Sequence, residues 1–291
     1  MFFVRRLFPF LFGSAALALP TALAWFFLHP PRRRHGKTPK TALGLGYERV
    51  HFTTEDSIRL SAWLVPHPEP QGLILLSHGY TGCRETMLPY VKFLHAAGYT
   101  VLLHDFRAHG WSGGQRATLG LEEPRDLQAA IRWVEKQESL AELPLFLMGE
   151  SMGAAVSLLV AALEPRVCAV VADCGFARMD GPIRQRLETL FGASFARALT
   201  PATQTMGERF LGSPTARIAP EEAIARIAPR PVLLIHGTQD ALVTPDHAHR
   251  LQAASGGVAQ LWLVEGARHT ESVYTSPHYA ERVVAFLREA S

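Results

Sequence analysis

The sequence predicts an α/β fold in which helices cover both faces of a mostly parallel sheet. Beyond Tyr47, short apolar runs alternate with stretches of helical spacing, which is typical of strand–helix–strand units with right-handed crossovers. The short runs are apolar on both faces, as strands must be when helices cover both sides of a sheet. The chain has 291 residues, 48% of them hydrophobic, which is enough for one sizeable core.

The N-terminal segment, residues 1–29, has the composition of a membrane span. No charged residue occurs from Leu7 to Leu28, and these 22 positions would form a helix roughly 33 Å long, which exceeds a hydrocarbon core of about 30 Å. We therefore predict an uncleaved, single-pass anchor that attaches the protein to a membrane. A cleaved signal peptide ending at residues 22–24 (Ala-Leu-Ala), followed by secretion, is one alternative, and a buried or docking helix is another. The side of the membrane occupied by the rest of the chain stays open.

The basic residues are concentrated before the globular part. Residues 1–40 contain seven basic residues and no acidic one, so the remaining 22 basic residues face 26 acidic ones, a net charge of −4. A domain with this charge lacks the basic face that nucleic acid requires, and we predict no nucleic-acid partner. Residues 30–46 combine proline, glycine and basic residues, which predicts a basic linker able to contact anionic lipid headgroups.

The remaining residues, 47–291, are predicted to form one domain. Residues 47–53 and 58–65 predict an antiparallel pair of strands. Six further runs predict buried strands, at Leu73–Ser77, Thr100–His104, Leu145–Met148, Cys168–Ala172, Val232–Ile235 and Leu261–Val264. Five stretches have helical spacing, at residues 84–97, 122–138, 151–163, 245–255 and 276–289. Residues 176–225 break the alternation, with helical pieces and no clear strand, and predict an inserted helical lid.

The strongest chemical signal is the sequence Gly-Glu-Ser-Met-Gly at residues 149–153. It follows the apolar run Leu145–Met148 and precedes a helical stretch rich in alanine and leucine. In this setting the chain turns sharply, the positions two before and two after the serine must be small, and the hydroxyl is free at the top of the sheet. The positive end of the helix points to the same place. We therefore predict that Ser151 is a nucleophile, although the five residues alone would indicate only a Gly-rich turn.

Four further landmarks occur in chain order around this motif. They are the pair His78-Gly79 after the first buried strand, the stretch DFRAHGWSGG at residues 105–114, the stretch HGTQD at residues 236–240, and His269 after the last strand. With them, residues 47–291 resemble an α/β-hydrolase. The stretch at residues 105–114 is similar to that family's D-x-R-G-x-G-x-S-x-G sequence. Ala108 stands in place of a glycine, a departure that concerns the local backbone. Together with a short lid, it resembles the membrane-anchored esterase and serine-aminopeptidase-like (S33-type) group.

The resemblance implies an α/β-hydrolase fold with an eight-stranded sheet, and it assigns the site residues. Ser151 corresponds to the nucleophile, Asp240 to the acid and His269 to the base, in the Ser…Asp…His order of the family. The backbone N–H groups of Tyr80 and Met152 would bind the oxyanion of the tetrahedral intermediate. A serine hydroxyl needs a base to take its proton, and the base needs a carboxylate to fix its tautomer.

Other residues compete for the roles of acid and base. Asp173 follows the strand after the nucleophile helix, and Asp246 stands where it could cap a helix. Among the thirteen histidines, His269 follows the last strand and precedes the last helix, whereas His247 and His278 are weaker candidates in helical surroundings. Four others adjoin earlier strands or lie in a loop and are interpreted as structural: His78, His104, His109 and His236.

The resemblance implies a serine hydrolase that cleaves a carboxylic ester, of a small molecule or a lipid, through an acyl-enzyme on Ser151. It implies no metal and no organic cofactor, and the sequence has no Cys-x-x-Cys or Cys/His spacing that would predict a zinc site. The apolar residues of the lid could line an acyl pocket or could equally pack on the sheet.

Three alternatives to an esterase stay open. A thioesterase would use the same triad. An aminopeptidase would need a carboxylate, such as Glu150 or Glu188, to hold the ammonium group of its substrate. A non-catalytic scaffold could share the fold. The natural substrate, the oligomeric state and the pairing of Cys168 with Cys174 cannot be predicted from the sequence.

Overall fold

The computed structural model describes residues 17–290, apart from the side chain of Asp180. Its centre is an eight-stranded sheet in the order β1-β2-β4-β3-β5-β6-β7-β8. The strands are β1 Glu48–Thr53, β2 Arg59–Val65, β3 Gly72–Ser77, β4 Tyr99–His104, β5 Leu145–Glu150, β6 Val167–Asp173, β7 Val232–Gly237 and β8 Ala259–Val264. Strand β2 runs antiparallel to β1 and to β4, and all other neighbours are parallel. The predicted fold class is confirmed.

Helices flank the sheet on both sides. The longer ones are α1 (described over residues 17–28), α2 Leu88–Ala96, α3 Glu123–Glu135, α4 Met152–Ala161, α5 Asp180–Phe191, α6 Ala193–Leu211, α7 Pro245–Ala254 and α8 Tyr279–Glu289. Shorter turns lie at Pro39–Leu43, Arg84–Met87, Glu138–Ala141, Thr215–Arg217, Pro220–Ala223, Ile224–Ile227 and Ser272–Thr275. The predicted helix over residues 84–97 is divided into the turn Arg84–Met87 and helix α2, which begins at Leu88. Pro89 lies in the first turn of α2, where its missing N–H is not needed.

Each face of the sheet has its own apolar core, because successive side chains of a strand point to opposite faces. In β3, Leu73 and Leu75 belong to the core that α3 and α4 cover. Ile74 and Leu76 belong to the core that α2 and α8 cover. Because helices cover both faces, β3, β4 and β7 are buried at every position, whereas the outer strands β1 and β8 have exposed positions.

The loop that follows β4 carries the predicted departure from the family pattern. Ala108 has a φ of 57°, in the left-handed region that a glycine adopts more easily. Its N–H donates a hydrogen bond of 2.8 Å to the carbonyl oxygen of Gly113. At Gly110 a Cβ atom would lie 2.3 Å from the carboxylate of Asp105, so this glycine is required by space as well as by its φ of 47°. The alanine therefore keeps the backbone path of the loop at the cost of a strained residue.

Residues 176–225, predicted as a helical lid, contain α5, α6, two shorter turns and the start of a third at Ile224, and no strand. Helices α5 and α6 pack on each other. Ile183 and Leu187 of α5 and Ala196 of α6 share a small apolar core with Leu23 and Phe27 of α1. The lid is therefore packed against the N-terminal helix as well as against the domain below it.

The predicted membrane span falls only in part on the described residues. Residues 7–16 lie outside them, so the anchor or signal segment predicted over residues 1–29 stays a prediction. Within residues 17–290, none of the helices combines the length and the apolar character needed to cross a bilayer. The described part of α1 buries Leu23, Ala24, Phe27 and Leu28, which lie on one face at helical spacing.

The predicted basic linker, residues 30–46, lies along the surface of the domain, and we call it the strap. Arg32 donates from Nη2 to the carbonyl oxygen of Gly114 at 2.6 Å, and Arg34 from Nε to that of Gly110 at 3.1 Å. The N–H groups of His35 and Lys37 donate to one carboxylate oxygen of Glu85, at 2.8 and 3.0 Å. These acceptors lie 48 to 82 positions away in sequence, so the composition of the strap gives no sign of them and suggests a free linker.

Candidate active site

Ser151 lies at the sharp turn between β5 and α4. Its φ of 52° and ψ of −116° hold it in a strained conformation that exposes the hydroxyl. The turn closes only with glycine at the two predicted positions. A Cβ atom on Gly149 would lie 2.4 Å from the carbonyl carbon of Gly153, and one on Gly153 would lie 2.1 Å from the carbonyl oxygen of Ser77. The Ser151 N–H donates to the carbonyl oxygen of Asp173 at 2.8 Å, which fastens the turn to β6.

The three residues predicted as a triad lie together. His269 Nε2 is 2.9 Å from Ser151 Oγ, and His269 Nδ1 is 2.7 Å from Asp240 Oδ2. Ser151 directly follows the central strand β5, Asp240 lies in the loop after β7, and His269 lies in the loop after β8. With a proton on Nδ1 directed to the carboxylate, Nε2 is free to accept the serine proton.

The surroundings of Asp240 keep its carboxylate ionised. Burial alone would raise its pKa, but hydrogen bonds from His236 and His269 outweigh burial and lower the pKa to about 2. The other oxygen, Oδ1, accepts the N–H groups of Leu242 and Val243, each at 2.9 Å. At neutral pH a negative charge therefore stands behind the imidazole of His269, where it can stabilise an imidazolium.

The two predicted oxyanion donors lie on either side of the nucleophile. Met152 is the first residue of α4, and a first-turn N–H has no acceptor within its own helix. Tyr80 follows Gly79, whose Cα is so close to the nucleophile that an added Cβ would lie 3.3 Å from Ser151 Cβ. Both residues line the cavity at Ser151. The Tyr80 side chain points elsewhere, since its hydroxyl donates to the carbonyl oxygen of Phe27 at 2.8 Å.

A cavity of about 380 Å³ opens at Ser151 and His269. Apolar side chains from the loops, the lid and α1 make up much of its wall: Phe27, Leu119, Phe176, Met179, Ile183, Leu242 and Val243. The predicted apolar lining from the lid is therefore supplied by α5 and the loop before it, whereas Phe191 and Phe195 are exposed to solvent. Cavities of this size and character accept small organic molecules and acyl chains.

The competing acids and bases are engaged elsewhere. Asp173 is buried and accepts hydrogen bonds from the hydroxyl groups of Tyr279 at 2.8 Å and Ser272 at 3.1 Å. His247 Nδ1 accepts the N–H of Ala177 at 3.2 Å, and His278 is exposed on α8's N-terminal side. None of these side chains lines the cavity.

The histidines interpreted as structural are buried. His78 Nε2 accepts the N–H of Phe106 at 3.1 Å, and His104 stacks among aromatic rings, where burial lowers its pKa to about 3. His236 has a further role that the sequence does not reveal. Its Nε2 lies 2.7 Å from the carbonyl oxygen of Val243 and 3.4 Å from Asp240 Oδ2, so it supports the acid from below.

Two buried carboxyl groups lie side by side near Ser151: Glu150, which lines the cavity, and Asp173, which does not. Burial, and then the neighbouring charge of Asp173, raise the pKa of Glu150 to about 7. Burial raises that of Asp173 to about 6. Tyr90 donates to Glu150 at 3.1 Å, as Tyr279 does to Asp173. Near neutral pH this pair therefore shares protons and carries less than two negative charges.

The described residues offer one cluster of metal-ligand type, in which Cys174 Sγ lies within 4.8 Å of ligand atoms of Asp240 and His269. Burial and the charge of Asp173 raise the pKa of the Cys174 thiol well above its usual value, and a protonated thiol is a poor metal ligand. Cys83, Cys168 and Cys174 are all free thiols, so Cys168 and Cys174 are not paired.

Comparison with known proteins places these features in a family. The family described as serine aminopeptidase, S33, matches residues 68–220. The uncharacterized protein YfhR of Escherichia coli K12 is 27% identical over 292 residues, which cover 97% of this chain and 93% of that protein. The uncharacterized protein YqkD of Bacillus subtilis is 29% identical over 77% of this chain and 73% of its own length. The structure of the Pyrococcus furiosus esterase Pf2001 is 29% identical, with a TM-score of 0.76, over 90% of this chain and 98% of that one.

Proposed function

This chain belongs to the serine aminopeptidase, S33, family and is a serine hydrolase of the α/β-hydrolase fold, and from that premise we propose that it hydrolyses carboxylic esters through an acyl-enzyme on Ser151. One observation carries the proposal. The hydrogen-bonded series from Ser151 through His269 to Asp240, with distances of 2.9 and 2.7 Å, opens into a cavity with a largely apolar wall. The likeness to the esterase Pf2001 supports an ester as the substrate.

The first half of the reaction forms the acyl-enzyme. His269 takes the proton of Ser151 while Oγ attacks the ester carbonyl carbon, and the carbonyl oxygen becomes an oxyanion. The N–H groups of Tyr80 and Met152 stabilise this oxyanion, each by about 3–4 kcal/mol. The tetrahedral intermediate then breaks its bond to the alcohol oxygen, and His269 returns the proton to the leaving alcohol.

The second half consumes water. His269 takes a proton from a water molecule, the hydroxide attacks the acyl carbon, and the same two N–H groups hold the second oxyanion. Collapse releases the carboxylic acid, and the proton returns to Ser151 Oγ. Asp240 keeps its negative charge throughout, because its pKa of about 2 lies far below neutral pH.

The first experiment uses the full chain in a non-ionic detergent, treated with a fluorophosphonate probe and assayed on p-nitrophenyl esters of increasing chain length. We expect labelling of the wild-type protein and a turnover that falls by roughly a millionfold in Ser151→Ala. Ser157→Ala is the matched control, because Ser157 lies on the same helix, buried, and donates to the carbonyl oxygen of Gly153. A folded wild-type protein that neither labels nor cleaves any ester would contradict the proposal and favour a scaffold.

Peptide hydrolysis is a second candidate, and the position of Glu150 favours it. This carboxylate lines the cavity beside Ser151, where it could hold a substrate ammonium. Glu188, the other acid considered, is on α5 and lies 3.4 Å from Arg184 instead. Aminoacyl p-nitroanilides, tested beside p-nitrophenyl esters and acyl thioesters on the wild-type protein and Glu150→Gln, separate the three reactions. A turnover of anilides that exceeds that of esters and is lost in Glu150→Gln would establish a peptidase.

We further propose that the substrate is met at a membrane, which is the predicted location and partner of the N-terminal segment. Helix α1 buries one apolar face on the lid, yet its outer face is apolar too, since Leu17, Leu19, Trp25 and Phe26 are exposed. The neighbouring lid exposes three more large apolar side chains: Leu190, Phe191 and Phe195. Exposed apolar side chains of this number, beside a strap rich in arginine, are typical of an interfacial surface.

Liposome flotation of the full chain tests this placement. We expect co-flotation with vesicles that contain anionic lipid and a loss of bound protein in the double variant Phe26→Ser/Phe195→Ser. Leu163→Ser is the matched control, because Leu163 is 59% exposed but follows α4, away from α1 and the lid. Unchanged flotation of the double variant would show that this surface does not contact lipid.

A further inference from the structure

Two arginines from separate segments reach the cavity that holds Ser151. Arg33 comes from the strap and Arg186 from α5 of the lid, and both side chains line the cavity while remaining exposed to solvent. Across the described residues, no carboxylate lies within 4 Å of either guanidinium. Two other lid arginines differ in this respect, since Arg184 lies 3.4 Å from Glu188 and Arg178 pairs with Glu221. Neither cation at the cavity is therefore paired with a carboxylate among the side chains that the structure describes.

The strap holds Arg33 toward the cavity through its two neighbours. Arg32 donates to the carbonyl oxygen of Gly114, and Arg34 donates to that of Gly110 while its guanidinium lies 3.9 Å from the ring centre of Trp111. The residues on either side are thus fixed on the loop after β4. Arg33, between them, makes no such contact in the described structure and lines the cavity instead. The position of the cation is consequently set by the backbone of the strap.

Among the described side chains of the cavity wall, Glu150 is the one acidic group, and it does not cancel the two cations. Glu150 lies beside the nucleophile, and its pKa of about 7 leaves it partly protonated near neutral pH. The described side chains that line the cavity therefore carry a net positive charge, which attracts anions. A guanidinium offers planar, paired N–H donors that fit phosphate oxygens, and a phosphate monoester has a charge near −2 that matches two arginines.

We propose that the substrate is a carboxylic ester whose alcohol carries a phosphate group, and that Arg33 and Arg186 bind this phosphate at the solvent side of the cavity. The acyl chain binds against the apolar wall, and the two exposed guanidinium groups bind the phosphate, which stays at the mouth of the cavity. This inference rests on the proposed esterase activity. The acyl carbon–oxygen bond breaks and water supplies the new oxygen, so the products are a carboxylic acid and an alcohol that still carries its phosphate.

An ester of this kind could be a lipid or a soluble molecule, and the length of its acyl chain distinguishes the two. The test measures kcat/KM of the full chain, in non-ionic detergent, for 1-acylglycerol 3-phosphates and for 1-acylglycerols with the same acyl group, hexanoyl or palmitoyl. We expect the phosphate ester to be preferred about tenfold or more at one of the two chain lengths. A preference confined to palmitoyl esters supports a lipid source, and one confined to hexanoyl esters supports a soluble source.

Variants of the two arginines assign the preference to them. We expect Arg33→Gln and Arg186→Gln each to lower kcat/KM for the phosphate ester about tenfold and to leave that for the neutral ester within about twofold. Arg184→Gln is the matched control on the same helix, because its guanidinium faces Glu188 and does not line the cavity. Arg186→Lys should restore part of the preference, since the charge returns without the paired donors.

Two outcomes would overturn the inference. One is a wild-type protein that cleaves phosphate and neutral esters equally well, and the other is a pair of variants that lower both activities alike. In either case Ser151-dependent cleavage of the neutral ester would leave the proposed esterase activity intact. If the wild-type protein cleaves neither ester and takes no fluorophosphonate label, the esterase activity itself has failed and this inference fails with it.

Discussion

The turn that carries Ser151 and the lid above it differ in how much space surrounds their glycines. At Gly149 and Gly153, an added Cβ would come within 2.4 and 2.1 Å of other backbone atoms, so no side chain fits at either position. At Gly207 and Gly212 in and after α6, an added Cβ would meet nothing within 4 Å. The turn that carries Ser151 therefore admits no side chain at either glycine, whereas α6 of the lid has room at Gly207 and at its end at Gly212.

The difference indicates where specificity can vary without loss of catalysis. The triad is supported by hydrogen bonds to backbone N–H groups and by close-packed glycines, so most substitutions there remove activity. The strap, α1 and α5 supply part of the cavity wall, and their side chains take no part in the hydrogen bonds of the triad. Substitutions in the two regions should therefore differ in kind, with lost activity in the first and altered preference in the second.

After the loss of Ser151 itself, the largest effect should come from the acid. We expect Asp240→Asn to lower kcat about 10⁴-fold, because the amide would favour the wrong tautomer of His269. Asp246→Asn, in the first turn of α7, is the matched control and should change kcat less than twofold. Asp173→Asn distinguishes the two acids considered from the sequence. A greater loss of kcat in Asp173→Asn than in Asp240→Asn would assign the role to Asp173.

The next effect concerns stability. We expect Gly153→Ala to lower the free energy of unfolding by about 3 kcal/mol or more, because the new methyl group would meet the carbonyl oxygen of Ser77 at 2.1 Å. In α6, Gly207→Ala should instead raise it by about 0.5–1 kcal/mol, since alanine is the better helix former and has room there. Urea denaturation of both variants measures the contrast. Equal destabilisation would remove the distinction between the two regions.

The buried carboxyl pair should give a pH-dependent difference. Burial raises the pKa of Glu150 above its unfolded value, so the folded state binds more protons, and stability falls as pH rises from about 5 to about 7. Glu150→Gln should remove this loss, and be about 2 kcal/mol more stable than the wild type at pH 8 but equal to it at pH 4.5. Glu138→Gln, at an exposed position, is the control. A difference independent of pH would show that Glu150 ionises normally.

The smallest effect should be a change of preference. Phe27 lines the cavity while its neighbour Phe26 is 53% exposed on the outer face of α1. We expect Phe27→Leu to change the ratio of kcat/KM for long and short acyl esters about tenfold, and Phe26→Leu to leave that ratio unchanged in detergent. Should both variants keep the wild-type ratio, α1 would be no part of the acyl site.

Much of the catalytic region could be predicted from the sequence because its signals are local. The five residues around Ser151 specify the turn, and each strand is recognisable from its own apolar run. The positions of Asp240 and His269 follow from the order of strands, and the structure brings both within hydrogen-bonding distance of their partners. Their catalytic roles await the variants described above.

The rest depends on contacts between segments that are distant in sequence. Nothing in the composition of the strap predicts that Arg32 and Arg34 bind the carbonyl oxygens of a loop more than 70 positions away, or that Arg33 thereby faces the cavity. Likewise, the sequence of an apolar segment does not distinguish contact with lipid from packing that buries Phe27 near Ser151. The carboxyl pair of Glu150 and Asp173 arises because β5 and β6 are neighbours in the sheet, which only the fold determines.

The docking of α1 also has a consequence for biosynthesis. Phe27 accepts a hydrogen bond from Tyr80, Leu28 accepts one from Ala117, and Leu23 packs in a core with Leu187. A ribosome therefore releases this apolar helix more than 150 residues before the last of its partners exists. Throughout that interval the helix is available to a chaperone, a translocation channel or a bilayer. The part of the cavity wall that α1 supplies is therefore synthesised well before the lid residues against which it packs.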